Sequence, residues 1–151
     1  MLTALIVLAL AQQRQRPSTP AAPAWTIELS TDGGFTGSGS GGLTVGSDGK
    51  LGITLVNKKQ CTFQLSTTEL QSLNDAIANA RPAAWLECYS LADLSTHCCD
   101  LIRTTLKLNA GKTYVTSWLN GSGFPADLQA IVEALRGPGG IDARYRPLCT
   151  P

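Results

Sequence analysis

At 151 residues, with 43% hydrophobic and 15% charged side chains, the chain has the size of one domain and the composition of a folded one, which excludes a charge-rich disordered segment. Twelve basic against eleven acidic residues leave a formal charge of +1, and the nearest approach to a basic patch is the pair Lys58-Lys59. No nucleic-acid partner is expected.

The chain opens on an apolar run that closes in Ala9-Leu10-Ala11, a small-residue pattern that signal peptidases accept. The run is shorter than the roughly 20 residues needed to cross a bilayer. Residues 1–11 are therefore expected to be a signal peptide whose removal leaves no membrane anchor, and a secreted or bacterial periplasmic location follows. Residues 12–24, punctuated by Pro17, Pro20 and Pro23, read as a Pro-rich linker. The domain is expected over 25–137, with 138–151 as a C-terminal tail.

Trp25-Thr26-Ile27-Glu28-Leu29-Ser30 alternates apolar and polar residues, the period of a half-buried strand. Gly33 to Gly42, rich in glycine and small hydroxyl residues with Phe35 as its one aromatic, cannot build a core and reads as a loop kept for backbone shape or access. Leu43-Thr44-Val45 and Leu51 to Val56 flank Asp48-Gly49, a hairpin signal because both turn residues tolerate positive φ. Cys61 to Leu65 is a further short extended run. Ser66-Thr67-Thr68-Glu69 is a capping box, and Leu70, Leu73, Ala76, Ile77 and Ala80 continue it at helical spacing until Pro82.

Pro82 to Asp100 reads as an irregular connection. Ile102, Thr104, Leu106 and Leu108 then lie on one face of a strand, which Asn109-Ala110-Gly111-Lys112 turns into a second one, Thr113 to Leu119. Pro125 opens a last helix whose stripe is Leu128, Ile131, Val132 and Leu135, ended by Gly137-Pro138. Two helices with one apolar stripe each need a sheet face to cover. The order predicts an α+β fold, an antiparallel sheet of about four to five strands packed on one face by two helices.

Five cysteines fit an oxidising compartment, and spacing does not choose their partners. Disulfide candidates are Cys61, Cys88, Cys98 and Cys99. The expected pairing joins Cys61 to one of the vicinal pair and Cys88 to the other, leaving Cys149 in the tail. His97-Cys98-Cys99 lacks the paired ligand spacing of a zinc site, so no metal is expected. Gly37-x-Gly39-x-x-Gly42 has the form of a dinucleotide fingerprint but leads into a strand where the motif requires a helix, and no cofactor is expected. His97 is the single histidine, no nucleophile elbow precedes a helix, and no catalytic residue is assigned; the chain reads as a non-enzyme.

Leu29-Ser30-Thr31-Asp32-Gly33-Gly34-Phe35-Thr36-Gly37 is similar to the Ser-Gly-Gly-Phe segment that follows the first strand in the emfourin family, small protein inhibitors of thermolysin-like metallopeptidases. The likeness extends to the capped helix, the second hairpin and the Pro-Ala-Asp-Leu start of the last helix at Pro125. The glycine run from Ser38 to Gly42, the cysteines and the 82–100 connection lie outside the family pattern. The resemblance implies a monomer that binds and inhibits such a peptidase through Gly33, Gly34, Phe35, Thr36 and Gly37. In that role Phe35 is an apolar anchor, and its glycine neighbours let the backbone approach the cleft. A fold-back of Phe35 into the core stays open beside it. So does a second reading, a disulfide-tied secreted or envelope domain with a structural or other interaction role.

Overall fold

A computed structural model describes residues 23–34, 39–90 and 101–149. The expected signal peptide and most of the expected linker lie outside the described residues. The fold is α+β, as the element order predicts.

β1 (Thr26–Gly33), β2 (Gly42–Gly46), β3 (Lys50–Thr54) and β4 (Gln60–Gln64) form an antiparallel meander. Helix α1 (Thr67–Asn79) follows, then the two-residue strand β5 (Cys88–Tyr89), the hairpin β6 (Ile102–Ala110) and β7 (Lys112–Leu119), and helix α2 (Ala126–Arg136). The strands join one sheet in the order β4-β3-β2-β1-β6-β7-β5. The sheet is thus larger than the expected four to five strands, and it is mixed, because β5 runs parallel to β7.

Two features enlarge it. β1 uses both of its edges, pairing with β2 from Thr26↔Gly46 to Ser30↔Gly42 and with β6 from Thr26↔Asn109 to Gly33↔Ile102, so the meander and the later hairpin become one sheet. The segment leading into β5 is held by β7: Thr116 Oγ1 donates to Leu86 O at 2.7 Å, and the Ser117 hydroxyl and amide donate to Glu87 O at 3.2 and 3.0 Å. Such a strand has no apolar period to announce it.

Ile27, Leu29, Leu43, Val45, Leu51, Ile53, Leu106 and Leu108 point to one face of the sheet and are buried under Leu73 of α1 and Leu128, Ile131 and Leu135 of α2. The period of two along each strand leaves Glu28, Ser30, Thr44 and Arg103 exposed on the opposite face. The capping box of α1 forms as expected: Glu69 N–H donates to Ser66 Oγ at 3.3 Å, and Ser66 N–H to Glu69 Oε2 at 2.8 Å. Asp127, in the first turn of α2, accepts from the Arg81 amide at 2.8 Å and the Trp85 indole at 3.1 Å, fixing the connection after α1.

The C-terminal segment departs from the expected tail. It forms a short helix, α3 (Ile141–Tyr145), and a 3-10 turn, Arg146–Leu148, with Ile141 and Cys149 buried. Cys149 is bonded to Cys61 with their Cα atoms 5.8 Å apart, which corrects the pairing of Cys61 with Cys98 or Cys99. The reason lies in the register. Ile53↔Cys61 and Leu51↔Phe63 place Cys61 and Phe63 on the core side of β4, where α3 packs and the Phe63 and Tyr145 rings lie 5.4 Å apart. Cys88 is exposed and free, not bridged as expected; Cys98 and Cys99 lie outside the described residues.

Candidate functional site

The glycine loop leaves the sheet where β1 outruns β2: beyond Ser30↔Gly42 the strand pairs with β6 alone, as far as Gly33. The chain turns at Gly33 and Gly34, with φ of 81° and 70°. It returns at Gly39, whose N–H donates to Gly33 O at 3.0 Å. A Cβ on Gly33 would sit 2.6 Å from Leu101 O, and one on Gly39 would sit 2.5 Å from the Thr31 carbonyl. Gly33 is required by the segment entering β6 and Gly39 where the chain crosses its own strand, and the crossing is a neck.

Thr31 closes this neck from below. Its Oγ1 accepts the Ser40 amide at 2.7 Å and donates to Gly41 O at 2.9 Å, while its own amide donates to Gly41 O at 3.2 Å. Two arginines close it from the helix side. Arg136 Nη2 donates to Gly41 O at 3.4 Å, and Arg146 Nη1 to Ser40 O at 3.2 Å and Thr54 O at 3.4 Å.

Asp142 of α3 holds both guanidinium groups. Arg146 Nε donates to its two carboxylate oxygens at 2.9 and 3.1 Å, and Arg136 Nε lies 3.6 Å away. Arg146 Nη2 also lies 2.7 Å from Asp142 Oδ1, a charge contact without the angle of a hydrogen bond. Burial lowers the pKa of Arg136, the Asp142 charge raises it, and Arg146 lowers it further, for a net downward shift. An arginine remains charged through any such shift. The arrangement fixes backbone shape, because the arginines direct their bonds to main-chain carbonyls.

Beside the neck, on the open face of the sheet, is a groove of about 380 Å³ lined by Ser30, Thr31, Gly42, Thr54, Lys58 and Lys107, among others. Of the residues assigned by resemblance, Gly33 and Gly34 form one side of the neck, whereas Phe35, Thr36 and Gly37 lie outside the described residues. Among the described residues, no group of three or more Cys, His, Asp or Glu is placed to hold a metal. His97 lies outside them.

Thr31, Arg136, Asp142 and Arg146 are the residues that sequence reasoning does not pick out. One signal was present: Asp142 and Arg146 are spaced i, i+4, the separation at which side chains meet on a helix. Compared with family models, with curated proteins and with solved structures, the chain matches none.

Proposed function

We propose that the chain is a non-enzymatic, monomeric binding protein that presents the loop between Gly33 and Gly39 to a thermolysin-like metallopeptidase and inhibits it. The observation that carries this reading is the neck. Gly33 and Gly39 are joined by a 3.0 Å hydrogen bond, and Thr31, Arg136 and Arg146 fix the chain just beyond it. A loop with fixed ends loses less freedom when it binds than a slack one, and rigid scaffolds bearing short loops are a common way to build a binding site. Phe35 is the apolar group such a loop offers to a cleft.

Export suits this role, and the Cys61–Cys149 bridge is a bond that persists in oxidising compartments. Among the described residues no helix is long and apolar enough to cross a membrane. The same bridge favours the second reading, a disulfide-tied domain with no peptidase target.

Titration against thermolysin and related peptidases separates the two. Stoichiometric loss of peptidase activity supports inhibition, and unchanged activity across the panel leaves the second reading. Phe35→Ala then assigns the loop: lost inhibition at unchanged thermal stability makes Phe35 the contact residue, whereas a large fall in stability makes it a core residue.

A further inference from the structure

We infer that the Cys61–Cys149 disulfide is a redox-sensitive latch on the neck of the glycine loop: reduction by a dithiol releases the segment 141–149, and with it the arginine contacts on Ser40 and Gly41, while the sheet stays folded.

The coupling runs through named atoms. Cys149 follows Arg146 by three residues, and Arg146 reaches Ser40 O and Thr54 O. Asp142, in the same segment, bonds Arg146 and lies beside Arg136, which reaches Gly41 O. Helix α3 has five residues, far below the length at which a helix holds itself in water. Its order therefore comes from its attachments: Ile141 in the core, Tyr145 and Arg144 on Glu69, Asp142 on Arg136, and the bridge at its far end.

Arg146 lies between the last of these helix attachments and the bridge. Its bond to the neck at Ser40 O, 3.2 Å long, is at the usual limit for N–H···O, and its bond to Thr54 O of β3, 3.4 Å long, is beyond it, so both depend on the backbone behind them being held. The sheet does not depend on the segment in this way. Ile27, Leu29, Leu106 and Leu108 are buried by α1, α2 and neighbouring strands, and the segment adds to that core cluster only Ile141, with Tyr145 packed against it.

The reductive step is thiol–disulfide exchange. Cys61 is half-buried on the edge strand β4 whereas Cys149 is buried, so one thiolate of the dithiol attacks Cys61 Sγ and Cys149 leaves as thiolate. The second thiol of the reagent closes on the mixed disulfide and releases Cys61. Two electrons pass to the bridge, each released thiolate takes a proton, and the dithiol becomes a cyclic disulfide. The bearing of this latch on peptidase binding rests on the reading above; the coupling itself does not, and the following experiment reads the coupling alone.

Amide hydrogen exchange is followed by NMR on the oxidised full chain and again after treatment with dithiothreitol. The Gly39 amide, bonded to Gly33 O, and the Ser40 amide, bonded to Thr31 Oγ1, are expected to exchange at least about tenfold faster after reduction, while the chemical shifts and cross-strand contacts of the β1–β6 ladder at Leu29 and Leu106 are retained. Cys61→Ser combined with Cys149→Ser should match the reduced protein, independently of the other cysteines. Arg146→Gln should speed the same two amides with the bridge intact, and reduction should then add little. Unchanged exchange at Gly39 and Ser40 on reduction overturns the latch. So does loss of the β1–β6 cross-strand contacts at Leu29 and Leu106, since the bridge would then hold the whole fold and not the neck.

Discussion

Tyr145 donates its hydroxyl proton to Glu69 Oε2 at 2.9 Å, tying α3 to the cap of α1 across 76 residues of sequence. The same carboxylate accepts from the Ser66 amide at 2.8 Å and the Ser66 hydroxyl at 2.6 Å, and it pairs with Arg144 Nη1 at 3.0 Å. A carboxylate as buried as Glu69 is costly unless its oxygens are satisfied. Here one residue caps one helix and anchors another.

This gives a pH dependence of known sign. Burial pushes the Glu69 carboxyl up, but the Ser66 hydroxyl and amide, the Tyr145 hydroxyl and the Arg144 charge outweigh it and hold it below its ordinary value of 4.5. A group depressed in the folded state contributes stability that is full above its unfolded value and is lost as pH falls through the folded one. Glu69→Gln, which keeps the shape, is expected to cost about 1–2 kcal/mol at pH 7, and its deficit should narrow below about pH 4.5. Urea denaturation at pH 7 and at pH 3 reads both; a deficit of constant size would contradict the assignment. In a cycle with Tyr145→Phe, the pair should show coupling of about 0.5–1.5 kcal/mol.

Much of this frame was legible in the residues. The alternation of Ile27 and Leu29, and of Leu106 and Leu108, marks the buried face of two neighbouring strands, and Ser66 with Glu69 marks the start of α1. What was not legible depends on groups brought together by the fold. The segment leading into β5 is held by Thr116 and Ser117 on another strand. Residues 141–149 have no long apolar stripe of their own, and their order comes from Cys61, Glu69 and Arg136, all distant in sequence. Gly33 is required by the Leu101 carbonyl, which comes near only through the β1–β6 register, and Gly39 by the Thr31 carbonyl, met only where the chain folds back on β1.

The loop neck should therefore be more sensitive to substitution than another glycine turn of similar φ. Gly39 at φ 60° faces Thr31 atoms 2.5 Å from the position of an added Cβ, whereas Gly111 at φ 75° has nothing within 4 Å. Gly111→Ala should cost about 1 kcal/mol, the conformational penalty alone. Gly39→Ala carries that penalty and a backbone clash as well, and should cost at least about 2 kcal/mol. Equal losses on chemical denaturation would mean that the neck is not close-packed.

The disulfide assignment has a direct chemical readout. Native, oxidised protein treated with iodoacetamide should be alkylated at the exposed Cys88, while non-reducing peptide mapping should recover Cys61 linked to Cys149. The bridge spans 88 residues of sequence, so removing it relaxes a long loop in the unfolded chain. Cys61→Ser with Cys149→Ser should lower the free energy of unfolding by about 2–5 kcal/mol. A peptide linking Cys61 to any other cysteine would refute the assignment.

Lys58 is the one described residue other than glycine with positive φ, at 67°. The turn between β3 and β4 demands it: Lys58 N–H donates to Leu55 O at 3.0 Å, Leu55 N–H donates to Lys59 O at 2.8 Å, and Asn57 Oδ1 accepts the Lys59 amide at 3.0 Å. A left-handed backbone costs a residue with a Cβ about 1–2 kcal/mol. Lys58→Gly removes that cost but gives the unfolded chain more freedom, a loss of about 0.4–1 kcal/mol. The strain is the larger of the two, so the glycine variant should be more stable by about 0.5–1 kcal/mol. Lys58→Ala deletes the same side chain while keeping the strained backbone, and it should leave stability close to that of the parent. A gain in both variants would place the cause in the lysine side chain, and a gain in neither would mean that the turn relaxes out of the left-handed region in solution.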